Sequence, residues 1–73
     1  MSLKKIKEGC WVDENDPYFS LNEWFNINLK KIVYYVTNGE GCIQVTEDAP
    51  IAEDELYDRI FLPGRKAIEA LKN

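Results

Sequence analysis

Residues 31–46 read KIVYYVTNGEGCIQVT, and this stretch decides the fold. Ile32, Val33, Tyr34, Tyr35, Val36 and Thr37 are all β-branched or aromatic, the side chains that suit a pleated, half-buried surface. Asn38-Gly39 follows, a pair that tolerates the positive φ of a type I′ turn, so a hairpin is predicted here. Cys42, Ile43, Gln44, Val45 and Thr46 make the returning strand, with Ile43 and Val45 on one face. Tyr34 and Tyr35 are adjacent, so they point to opposite faces of the sheet.

Downstream, Asp48 and Pro50 suit the cap and first turn of a helix. Ala52, Leu56 and Ile60 recur every fourth residue, as do Tyr57 and Phe61, which predicts an amphipathic helix with an apolar stripe. Glu53, Asp54, Glu55 and Asp58 fall mostly on its other side. Leu62-Pro63-Gly64 is expected to end that helix and reverse the chain. A second short helix is then predicted over residues 65–73, with Arg65, Lys66 and Lys72 making it basic.

Upstream, IKEGCWVD over residues 6–13 reads as a first core strand, bent at Gly9. Gly9-Cys10-Trp11-Val12 followed by acids resembles the first strand of small SH3-like barrels. Ser20 and Glu23 fit a capping box, with Phe19 and Trp24 as a hydrophobic staple, so a helical turn is predicted over residues 21–25. Phe25, Ile27 and Leu29 then alternate with Asn26, Asn28 and Lys30, which predicts one long strand over residues 26–37, bent near Lys30-Lys31. The resulting expectation is an α+β domain spanning residues 1–73. It has a small antiparallel sheet of three or four strands around the hairpin at 31–46, and one or two C-terminal helices. A small SH3-like barrel with a helical tail is the alternative.

The chain has 73 residues, 45% of them apolar and 30% charged, with thirteen acids against nine bases for a net charge of −4. That balance opposes non-specific phosphate binding, so direct nucleic-acid binding is not expected. Two alternatives remain: a small nucleic-acid-binding module, resting on Lys4, Lys5, Lys7, Lys30 and Lys31 with Trp11 or Tyr35 for stacking, and a structural subunit or homodimer formed through an exposed tyrosine face. There is no histidine, no Cys-x-x-Cys and no nucleotide-binding glycine fingerprint. An EF-hand loop starting at Asp13 would need Gly at Tyr18 and Glu at Trp24. No catalytic, cofactor or metal-binding residue is therefore expected, and the chain reads as a non-enzyme. Cys10 and Cys42 are read as reduced, buried small hydrophobes. No apolar run approaches a membrane span, which suggests a cytoplasmic protein.

Two Trp, four Tyr and three Phe are more than so short a chain can bury. Exposed aromatics beside acids mark a protein-binding patch. The candidate partner-binding residues are Asp54, Glu55 and Asp58 on the helix, Asp13, Glu14, Asp16 and Tyr18 in the first acidic loop, and Tyr35. Shortness, acidity, excess aromatics and missing catalytic groups together resemble the small acidic proteins that bacteriophages use against host machinery. The resemblance implies an inhibitor or regulator acting in the host cytoplasm on a protein with a basic surface, such as RNA polymerase.

Overall fold

A computed structural model describes residues 3–71. Five strands follow one another: β1 (Leu3–Lys7), β2 (Cys10–Asp13), β3 (Ser20–Asn26), β4 (Lys31–Thr37) and β5 (Cys42–Glu47). They lie side by side in chain order, each antiparallel to the next. β1 and β5 form the two ends, so the sheet is an open meander and not an SH3-like barrel. An unbroken helical run closes the chain: α1 (Glu53–Leu56), a π-helical segment (Tyr57–Phe61) and α2 (Leu62–Leu71). The last expected residues, Lys72 and Asn73, lie outside the described residues, as do Met1 and Ser2.

The predicted hairpin at 31–46 is present as β4 and β5, with Tyr34 opposite Val45 and Val36 opposite Ile43. Its turn is wider than expected. Gly39 takes a φ of +90°, but Lys30 is the one non-glycine with positive φ among the described residues, so Asn38 does not adopt the type I′ conformation. Instead the Asn38 side-chain oxygen accepts the N–H groups of Glu40 at 3.0 Å and Gly41 at 2.8 Å. This Asx closure spans four residues.

The strand count exceeds the expected three or four for two reasons. First, the predicted single strand at 6–13 is two strands folded back at Gly9. Gly9 has a φ of +78°, its carbonyl accepts the Glu23 N–H at 2.8 Å, and a Cβ there would lie 2.9 Å from the Glu23 carbonyl oxygen. Second, the capping-box signals at 20–24 are overridden. Residues 20–26 pair with β4 along their whole length, from Ser20–Thr37 to Asn26–Lys31, and with β2 at Asn22, Leu21 and Ser20. An isolated helical turn is too costly to nucleate against two ladders. The expected continuous strand through Leu29 is also broken. The Lys30 N–H donates to the Asn26 carbonyl at 2.7 Å, the Leu29 N–H donates to the Asn26 side-chain oxygen at 3.1 Å, and Lys30 sits at φ +57°.

The helix covers one face of the sheet. Trp11, Phe19, Leu21, Tyr34 and Val36 meet Ile51, Leu56, Ile60, Phe61 and Ile68 there. Ala52, expected in the stripe, is exposed. Pro63-Gly64 does not stop the helix. Proline would press its ring on the carbonyl four residues back and cannot donate to it. The π segment loosens this turn: the Leu62 N–H donates to the Tyr57 carbonyl, five residues back. The wider turn also keeps the buried stripe in line. At about 100° per residue, Leu56 and Ile68 would stand about 120° apart on a uniform α-helix. Gly64 serves close packing and not reversal: a Cβ would lie 2.8 Å from Val36 Cγ2.

Candidate protein-docking surface

The β3–β4 hairpin runs past β2 at one end of the sheet. β2 pairs with β3 only as far as Asn22, so Trp24, Phe25 and Asn26 have β4 alone beside them. The turn that follows carries Ile27 and Leu29. Phe25, Ile27 and Leu29 are 53%, 77% and 54% exposed, and Trp24 is partly exposed beside them. Solvated apolar side chains grouped on one hairpin end have no role in this core, and contiguous patches of this sort mark interaction sites. The alternating pattern of residues 25–29 predicts a strand, and the structure places a turn there, after Asn26. The signal that would have found the turn is Asn at both 26 and 28.

Acids border this end on the helix side. An open groove of about 440 Å³ is lined by Glu8, Gly9, Trp11, Glu23, Pro50, Ile51, Glu53 and Leu56. Lys5 spans its rim, donating to Glu8 at 2.8 Å and Glu53 at 2.9 Å. Glu8 first and then Glu53 hold the Lys5 pKa above its ordinary value. Behind Ile51, which lines the groove, the buried Tyr34 hydroxyl accepts the Ile51 N–H at 2.9 Å. Burial, and then its hydrogen bond to Glu23, push Tyr34 up to about 12. That hydroxyl pins the β5–α1 connection onto the middle of the sheet.

Asp54, Glu55 and Asp58 are all exposed on the helix. Asp54 and Asp58 line a second groove with Leu3, Lys5, Trp11 and Tyr57, while Glu55 lies 4.0 Å from Arg59. These three residues and the groove acids leave the start of the helix negative.

The first acidic loop lies elsewhere and divides. Asp13 is buried and receives a hydrogen bond from Arg65 Nη1 at 2.5 Å, while Asp16 pairs with Arg65 Nη2 at 3.2 Å. The Arg65 guanidinium also sits 4.6 Å over the Phe19 ring. These two acids therefore clamp α2 to the β2–β3 loop. Glu14 and Tyr18 remain exposed in that loop. Tyr35 stands on the opposite face of the sheet, stacked on Trp24 with ring centroids 6.2 Å apart. So the structure groups Asp54, Glu55 and Asp58, and separates them from Tyr18 and Tyr35.

Cys10 is half-buried and Cys42 exposed, so the expectation of two buried thiols fails for Cys42, which lies on an end strand. Among the described residues no cluster of carboxylates and thiols has metal-holding geometry, and no helix is long and apolar enough to cross a membrane. Set against known protein families, curated proteins and solved structures, the chain matches none.

Proposed function

We propose that this protein is a small docking module that binds another protein through its β3–β4 hairpin end. The observation that carries the reading is the exposed group Phe25, Ile27 and Leu29 at the end of one hairpin. Apolar anchors of this kind fill pockets on a partner, and the acids beside them steer its approach. Glu8 and Glu23 on the groove, with Asp54 and Asp58 on the helix, favour a partner with a basic surface. Enzymes that handle nucleic acid present such surfaces, and a phage-type inhibitor of host RNA polymerase is the sharpest form of this reading.

The test is capture from bacterial lysate at moderate salt, run beside a titration with purified bacterial RNA polymerase. Wild type is compared with the Ile27→Ser/Leu29→Ser variant. One partner retained by wild type and lost by the variant supports docking at the hairpin end. Equal capture by both removes the hairpin end from the function. No response with purified polymerase removes that particular enzyme.

A further inference from the structure

The face of the sheet turned away from the helix differs in charge from the rest of the molecule. Its side chains can be read from the register. One row runs Lys7, Cys10, Asn22, Tyr35, Gln44, and the next Lys4, Val12, Ser20, Thr37, Cys42. Towards the hairpin end come Trp24, Val33 and Thr46, then Asn26 with Lys31. The chain holds thirteen acids, yet none stands in these rows. The charged positions are lysines at the margins: Lys4 and Lys7 on β1, and Lys31 at the hairpin end, with Lys30 in the adjoining turn.

The pairing of these cations is equally uneven. Lys5, Arg59 and Arg65 meet carboxylates on the helix side of the molecule. Lys31 is held by Asp48 at 3.0 Å. Lys4, Lys7 and Lys30 form no ion pair among the described residues. In a chain with an excess of acids, unpaired lysines around a carboxylate-free face are a local reversal of charge. In the middle of that face, Trp24 and Tyr35 stand with their rings 6° from parallel. Around them Ser20, Asn22, Thr37, Gln44 and Thr46 offer neutral donors and acceptors.

We infer that this face binds single-stranded nucleic acid. Phosphates would meet the unpaired Lys4, Lys7 and Lys30, and a base would stack on the Trp24–Tyr35 pair. The inference goes beyond the docking function and does not rest on it. It also revises the residue set that the sequence suggested. Trp11 is buried under the helix, and Lys5 is engaged with Glu8 and Glu53, so neither belongs to this face.

The experiment is an anisotropy titration of fluorescein-labelled oligothymidine of about 12 nucleotides, a length that covers one small site. Oligouridine of the same length distinguishes DNA from RNA as the source. Binding is expected at low salt with a Kd between about 10⁻⁴ and 10⁻⁶ M, falling with salt at about −0.7 in log–log slope per lysine engaged. Lys7→Glu should weaken binding about tenfold and flatten that slope. Trp24→Ala should also weaken it about tenfold. Lys66→Glu changes net charge equally on the exposed side of α2, and should leave affinity within about twofold. Should Trp24→Ala fail to fold, the Lys7→Glu and Lys66→Glu comparison decides alone. Absence of binding at about 1 mM protein overturns the inference. So does equal weakening by Lys66→Glu, or equal competition by duplex DNA. A stable dimer with the Cys42 thiol shielded would assign the face to a second copy, and would likewise overturn it.

Discussion

Replacing Gly64 by alanine tests how the helix is seated. Alanine is the better helix former by about 1 kcal/mol, so on an unpacked helix the change would stabilise. Here the new methyl would lie 2.8 Å from Val36 Cγ2, 2.9 Å from its Cβ and 3.2 Å from its Cγ1. Comfortable carbon contacts begin near ~3.5 Å. Val36 cannot yield easily, being fully buried between Leu21 and Ile43 in the register. Overpacking of this kind costs about 1–3 kcal/mol. Set against the propensity gain, a net loss of up to about 2 kcal/mol is expected. In a domain of this size that lowers Tm by up to about 15 °C. Val36→Ala alone should cost about 2–3 kcal/mol by opening a cavity. In that background the two Cγ contacts are gone and the 2.9 Å Cβ contact remains, so Gly64→Ala should fall to within about 0.5 kcal/mol of neutral. The readout is urea denaturation of wild type, both single variants and the double variant. A coupling of about 1 kcal/mol is expected between neighbours that clash. If Gly64→Ala stabilises the otherwise wild-type chain, or the two changes simply add, the helix does not rest on Val36 and the account of Gly64 is wrong.

Tyr34 predicts an alkaline limit. Its folded pKa is raised from 10.0 to about 12, so the neutral hydroxyl is the form the fold favours. Its contribution is whole below about pH 10 and is lost as pH rises towards about 12, a loss of up to about 2–3 kcal/mol. Tyr34→Phe should be less stable at pH 7 by about 1–3 kcal/mol, because the Ile51 N–H loses its acceptor, yet should show a shallower alkaline decline. Parallel decline of the two proteins in urea titrations across that range would exclude the assignment. Arg65→Leu leaves Asp13 buried without its cation, and should destabilise by about 3 kcal/mol in the same assay. The Asp54→Ala/Glu55→Ala/Asp58→Ala variant should unfold within about 0.5–1 kcal/mol of wild type, since exposed like charges are being removed. With a captured partner in hand, stopped-flow mixing should show its association slowed and less sensitive to salt. Unchanged association would make that run of acids a solvated face only.

The elements legible in the sequence are those specified locally. Residues 32–37 and 42–46 carry their own strand chemistry, and Gly9 announces a sharp bend whatever lies around it. The misreadings share a cause, which is that a distant partner outweighed a local signal. Ser20 and Glu23 make a sound helix start until β2 and β4 are beside them. Pro63-Gly64 makes a sound helix stop until the π turn and Val36 are known. Asp13 and Asp16 look like a free acidic loop because their cation, Arg65, stands 52 and 49 residues further along the chain. The candidate site was legible in kind and not in place. Composition announced more aromatic and apolar surface than the core holds. Which residues stay outside depended on where β3 turns, and that turn rests on Asn26 hydrogen bonds invisible to a periodicity count.

The π segment has a consequence for length changes in this helix. In a regular helix the loss of one residue rotates everything after it by about 100° around the axis, which takes a buried stripe out of line. Here Asp58 and Arg59 are exposed and lie within the π turn, between Leu56 on one side and Gly64 and Ile68 on the other. Removing either residue would let the turn tighten to regular α geometry. Leu56 and Ile68 would then stand only about 20° apart on a uniform α-helix, so Gly64 would still meet Val36 and Arg65 would still reach Asp13. A single deletion at residue 58 or 59 is therefore expected to be tolerated, and one within the regular turns of α2 is not.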